Sequence, residues 1–247
     1  MISAVVLTHD SGATVGEALR SLSWCDEVVV IDDASTDDTA MIAKKHHARV
    51  VSHALHGDFA RQRNFGLSCA RGDWVLFIDA DEVVSSALAT EIKKAIQDPI
   101  RDGYYLKRRD TVWGHVLRYG ETSQVRLIRL ARKGAGTWVR PVHEVWQIHG
   151  YTAVLSHPLH HFPHPNVTQF LHDINEYSSS NAMYLYERGT RVQWWHIVAY
   201  PVAKFFMNYI VRRGFLDGTP GVILALMMSF HSFLTRAKLW QLWQKRG

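Results

Sequence analysis

Short apolar runs alternate with stretches of helical period through the first third of the chain. SAVVLT (3–8), DEVVVIDD (26–33), ARVVSH (48–53) and WVLFID (74–79) are nearly continuous in Val, Ile, Leu and Phe. Runs of this kind belong to strands covered on both faces, as in a parallel sheet; a strand with one wet face alternates apolar and polar positions instead. Between them GATVGEALRSLSW (12–24), residues 35–47 and residues 58–70 carry helical spacing, so the pattern predicts repeated strand–helix units and a Rossmann-like opening. Ser35, followed three residues later by Asp38, has the character of a capping box for the second helix.

After a helix over 86–97 the rhythm changes. GYYLKRRDTVW (103–113) and QVRLIRLAR (124–132) predict an antiparallel portion beside the parallel sheet, and a histidine-rich loop, HPLHHFPHPN (157–166), follows. From Val167 the chain is helical and rich in aromatics, above all in WWHIVAYPVAKFFMNYIV (194–211) and TPGVILALMMSFHSFL (219–234). The expected division is therefore an α/β domain over 1–165 and a helical extension over 166–247. Neither aromatic stretch is a clean membrane span: His196, Pro201 and Lys204 interrupt the first, and the second is short and holds His231. With Arg212 and Arg213 between them, they predict a pair of helices lying at a membrane surface, with packing against the domain as the alternative.

Composition narrows this picture only a little. A chain of 247 residues that is 47% hydrophobic and 21% charged is an ordinary folded protein with little room for disorder. The formal charge of +5 is unevenly spread, since residues 101–140 hold ten Lys or Arg against three acids. That excess points to phosphate or anionic lipid as a partner, and no nucleic-acid motif accompanies it. Cys25 and Cys69 have no metal-ligand spacing and are expected to be reduced thiols. MISAVVLTHD has no basic n-region and reads as a first strand, so the domain is expected to be cytoplasmic.

The candidate chemistry lies in DWVLFIDADEV (73–83), where Asp79, Asp81 and Glu82 follow an apolar strand with nothing basic beside them in sequence. Ligands of open α/β sheets bind beyond the carboxyl ends of the strands. Alternation along a strand sends positions i and i+2 to one side, so Asp79 and Asp81 are expected to face one crevice and to ask for a cation. Mg²⁺ or Mn²⁺ suits carboxylate oxygens, and the alternative is a solvated turn. A second acidic strand end carries Asp32 and Asp33. The loop before it, THDSGATVG, breaks the Gly-x-Gly-x-x-Gly pattern, which argues against a dinucleotide site but leaves an aspartate able to bind a base or ribose.

Together AVVLTHD, VVVIDDASTDDT, ARQRNFGLSCARGD and WVLFIDADE resemble, in order and separation, the nucleotide-sugar domain of inverting family 2 glycosyltransferases with the GT-A fold. RPVHEVW, LHHFPHP and GFLDGTPG add a looser resemblance to bacterial lipopolysaccharide-core β-glucosyltransferases. The resemblance implies that Leu7, Thr8 and His9 line the uracil pocket, that Asp33 with its neighbour Asp32 reads the base, and that Arg63 reaches the nucleotide. It implies that Asp79 and Asp81 form the Asp-x-Asp motif, with Asp81 a metal ligand and His161, or next His160, a further one. It implies a UDP-sugar donor, a lipid-linked or lipopolysaccharide saccharide acceptor and a membrane surface as partners. Glu144 is the expected base, His143 the second choice, and Asp110 and Glu121 weaker ones. Two other readings compete: a haloacid-dehalogenase-like phosphatase built on FIDADEVV, and a non-catalytic module that binds anionic lipid. A zinc site at His157, His160, His161 and His164 lacks a Cys or acid at ligand spacing.

Overall fold

A computed structural model describes residues 1–140 and 144–244. The chain divides into two compact units, one of residues 1–108 and 125–161, the other of residues 109–124 and 162–247.

The first unit opens with β1 (Ile2–Thr8), α1 (Val15–Ser21), β2 (Glu27–Asp32), α2 (Thr39–Lys45), β3 (Arg49–Ser52), α3 (Phe59–Cys69) and β4 (Trp74–Asp79). A two-residue strand β5 (Glu82–Val83) and α4 (Ser86–Ala95) come next. The long β6 (Arg101–Val112) runs out of this unit, which resumes with β8 (Arg126–Arg132), β9 (Gly136–Val139), β10 (Val145–Ile148), β11 (Tyr151–Val154) and β12 (Leu159–His161). The sheet order is β3-β2-β1-β4-β8-β6-β12-β5. β1 to β4 pair in parallel; β8 pairs antiparallel with both β4 and β6. This is the expected mixed α/β sheet with an antiparallel portion.

Both faces of the parallel half are covered, which is why its strands could be read as unbroken apolar runs. Ala4, Val6, Val30, Leu76 and Ile78 pack with residues of α1, α2 and α4, while Val5, Ile31, Val75 and Phe77 pack with α3, Trp138 and Trp146. Side chains alternate along β4, so Asp79 shares the α3 side with Val75 and Phe77. Asp58 starts α3 by accepting a hydrogen bond from the Arg61 amide at 2.9 Å, and this fixes the helix that carries Arg63.

The expected cap of α2 is corrected. The helix begins only at Thr39, and the Ser35 hydroxyl donates instead to Asp32 at 2.6 Å, because a carboxylate at a strand end outcompetes a helix terminus four residues away. Asp37 takes the capping contacts, accepting from the Thr39 amide at 2.9 Å.

The second unit holds β7 (His115–Val116), which pairs with the end of β6, and the helices α5 (Val167–Glu187), α6 (Trp194–Phe206) and α7 (Gly218–Gln244). A π-helical stretch, Met207–Val211, continues α6, and a 3₁₀ turn, Gly214–Asp217, leads into α7. Val112, Leu117, Phe170, Ile174, Leu224 and Met227 form its core. Among the described residues one stretch, Gly214–Gln244, is long and apolar enough to cross a membrane by length and composition.

Candidate active site

The carboxyl edge of the parallel strands gathers most of the expected residues. Register places Leu7 beside Asp79 and Thr8 beside Asp32. Asp32 is buried and fully engaged: its carboxylate accepts from the Thr8 hydroxyl at 3.0 Å, the Ser35 hydroxyl at 2.6 Å and the Ser35 amide at 3.1 Å. It therefore builds the turn after β2. Asp33 accepts the Leu55 amide at 2.8 Å through Oδ1, while its backbone oxygen accepts from His9 Nδ1 at 2.6 Å. That hydrogen bond is the main reason the exposed His9 imidazole is shifted above its ordinary value; partial burial opposes it, and the charges of Asp10 and Asp33 add to it.

Asp79 overturns the premise that the acidic cluster lacks basic neighbours. Arg63, from α3, donates from Nη2 to Asp79 at 2.9 Å and from Nε to Glu144 at 2.8 Å. Arg129, from β8, pairs with the other Asp79 oxygen and reaches Glu82 at 3.2 Å, and Glu82 accepts the Asp79 amide at 2.9 Å. Both guanidinium groups are buried, at 4% and 5% exposure, and Glu82 is wholly so. Burial would push the Asp79 carboxyl up, but Arg129 and Arg63 hold it far below the usual carboxylate range. Glu82, buried more completely, is shifted up against the pull of Arg129. Arg63 also stacks over Trp138, 4.8 Å from the ring centre, and among the described residues its buried Nη1 has no hydrogen-bond partner. Among the described residues no donor meets Glu144 Oε2.

Asp79 and Asp81 have different partners: β4 ends at Asp79 and the chain turns at Ala80 and Asp81. Asp81 instead meets His161, with Oδ2 to Nε2 at 3.3 Å. The short pairing of β12 with β5 sets this contact by holding His161 opposite Glu82. A carboxylate oxygen and an imidazole nitrogen are apt ligands for Mg²⁺ or Mn²⁺, and a two-group set leaves the remaining positions to substrate phosphates and water. The residues therefore fit a divalent ion bound jointly by protein and donor, and among the described residues no closed cluster of three or more ligands is present.

The other histidines of the loop disperse. His157 pairs with Glu91 at 2.8 Å and His164, in the second unit, with Asp173 at 2.8 Å, which removes the four-histidine zinc arrangement. Glu121 and Asp110 belong to the second unit, where Glu121 binds Lys204. His143 lies outside the described residues. Cys25 and Cys69 are free thiols, and burial pushes Cys25 up to about 12, leaving it protonated and inert.

Arg129 and the pair Trp138 and Trp146 were not anticipated from sequence. The tryptophans stack at 5.2 Å and meet the edge of Phe77, forming the wall behind Arg63. The one available signal for Arg129 was its place inside an apolar strand, RLIRLAR, where an arginine must find a carboxylate.

Comparisons with known proteins place the chain in a family. Residues 3–156 match the family model described as glycosyl transferase family 2. An uncharacterized glycosyltransferase of Rickettsia conorii is 28% identical over 96% of this chain and 89% of its own length. The lipopolysaccharide core biosynthesis glycosyltransferase LpsC of Rhizobium meliloti is 29% identical over 97% of this chain and 92% of its own. Among solved structures, S. aureus TarS 1-349 in complex with UDP-GlcNAc is 15% identical, covering 99% of this chain and 92% of that one at a TM-score of 0.49. The phosphatase alternative falls, since its nucleophile would be Asp79, whose carboxylate is clamped between two arginines. With a family match that spans well over half of its length, this chain is a glycosyltransferase and belongs to glycosyl transferase family 2.

Proposed function

We propose that this enzyme moves a hexose, glucose in the first instance, from a UDP-sugar to a saccharide acceptor on a membrane-anchored glycan such as lipopolysaccharide inner core, with inversion. It works at the cytoplasmic face of the membrane. The acceptor assignment is supported by the relative LpsC, similar over nearly the whole chain. The site reading is carried by one observation: Asp81 and His161 stand 3.3 Å apart, while Asp79, two residues earlier in the chain, is already ion-paired to Arg63 and Arg129.

Each residue then has a distinct task. Leu7, Thr8 and His9 line the base pocket, Asp32 braces the turn, and Asp33 reads the base edge. Asp81 and His161 hold the divalent ion. Mg²⁺ or Mn²⁺ held there would supply positive charge against the diphosphate as UDP leaves. Asp79, fixed by Arg63 and Arg129, keeps its charge and orientation at the sheet edge. Arg63 holds Glu144 and Asp79 in place, and its buried guanidinium sets positive charge behind the phosphates. Glu144, anchored through Oε1, takes the proton of the attacking acceptor hydroxyl through Oε2.

Asp81→Ala and His161→Ala are expected to lower transfer by at least about a hundredfold with the fold retained, and chelation to do the same to the wild type. Full transfer by Asp81→Ala in the presence of chelator would refute the metal assignment.

A further inference from the structure

The helix α6 and its π continuation are inside out. Along Trp194, Val198, Val202, Phe206 and Ile210, every fourth residue is apolar and between 49% and 77% exposed. The polar groups of the same helix point inward: Lys204 donates to Glu121 at 2.6 Å, and Asn208 donates to the same carboxylate at 3.0 Å. A helix facing water has the opposite arrangement. α7 extends the apolar surface with Leu226, Phe230 and Phe233, each exposed by 39% or more. α5, in the same unit, differs in that its exposed Val167, Leu171, Tyr177 and Met183 are interspersed with exposed polar positions, among them Gln169, His172, Asn175 and Glu176.

The charge of this unit says what covers the surface. The second unit holds eleven Lys or Arg against six Asp or Glu, so the whole excess of +5 lies there and the first unit is neutral. Arg188 and Arg191 are exposed before α6, and Arg212 and Arg213 after its π continuation. An apolar row with tryptophans at one end and arginines at both suits the boundary between acyl chains and anionic headgroups. A second copy of the same cationic surface would repel it.

We propose that the outward face of α6 and its π continuation, extended by Leu226, Phe230 and Phe233 of α7, is a monotopic membrane-docking surface that lies in the interface of an anionic bilayer. It rests on the membrane-side reading given above and names the surface responsible.

The test is flotation of the full chain with vesicles of phosphatidylcholine containing about 30% phosphatidylglycerol, alongside pure phosphatidylcholine. The wild type is expected to float with the anionic vesicles, and Val198→Asp with Val202→Asp to weaken partitioning by about tenfold or more. Ser180→Asp, on the exposed side of α5, is expected to float as the wild type does. Both Val positions face solvent, so melting temperature and transfer to a short water-soluble acceptor should be unchanged. Quenching of wild-type fluorescence by brominated lipid, reduced in Trp194→Phe, provides a readout that needs no polar substitution. The proposal is overturned if the wild type does not float, if the double variant floats undiminished, or if the wild type is a dimer that the double variant dissociates. Vesicle binding without any sugar transfer would defeat the functional reading and leave the docking surface standing.

Discussion

Arg129 shows at the level of one residue how the acidic cluster is tolerated. Its guanidinium joins Asp79 to the fully buried Glu82, so both carboxylates are held in a low-dielectric site by one cation, with Arg63 a second partner for Asp79. Removing one partner of such a pair strands the other, which costs far more than the pair contributes. Arg129→Met is expected to destabilise the protein by about 3–5 kcal/mol in denaturant unfolding, with Arg129→Met plus Glu82→Gln recovering part of the loss. If the single variant unfolds at the wild-type midpoint, the network has no structural role. None of this was visible in DADE as a string, since Arg63 and Arg129 lie 16 and 50 residues from Asp79. Asp81 and His161 were both marked from sequence, but the pairing of β12 with β5 that joins them was not.

At the scale of elements, the close seat of α3 on the sheet aims Arg63 at the site. Gly66 makes that approach possible: a Cβ there would lie 2.7 Å from Val5 Cγ1 and 3.2 Å from Ile31 Cγ1. Gly66→Val is expected to cost at least about 2 kcal/mol by overpacking, which the slight gain in helix propensity does not offset. An unchanged unfolding midpoint would show that the helix is free to shift.

The inward face of α6 makes a separate electrostatic prediction. Burial alone would raise the Glu121 carboxyl, but the hydrogen bond and charge of Lys204, helped by Asn208, carry it below its ordinary value. A carboxyl with a folded value below its unfolded one stabilises fully above the unfolded value of about 4.3, and that contribution fades as pH falls through the folded value. Wild-type stability should therefore drop more steeply than that of Glu121→Gln below about pH 5, read from urea midpoints across pH. Parallel curves would remove the tie between Glu121 and Lys204 as a stabilising contact.

For the whole molecule, the two units divide the labour of chemistry and charge. The first is electrically neutral and holds the family motifs; the second carries the excess of +5 and the apolar helices. A UDP-sugar with Mn²⁺ is expected to raise the melting temperature of the wild type, corresponding to about 2.7 kcal/mol at a ligand concentration a hundred times Kd. In Asp81→Ala the metal-dependent part of that shift should vanish. A shift of equal size with and without Mn²⁺ would separate nucleotide binding from the metal.

By itself the sequence determined what short-range physics writes into neighbouring positions. Strands buried on both faces must be apolar throughout, helices carry their period, and acids at strand ends are visible as text, so the α/β sheet and the helical extension were legible, and Asp33, Asp81, Glu144 and His161 could be marked as candidates. Tertiary structure alone decided which charges meet. Asp79 is clamped by two distant arginines, Asp81 faces a histidine eighty residues on, and Glu121 meets Lys204 from the inward side of α6. Electrostatic partners and exposed faces depend on distance in space, and a chain that pairs β4 with β8 and β5 with β12 fixes those distances only when it folds.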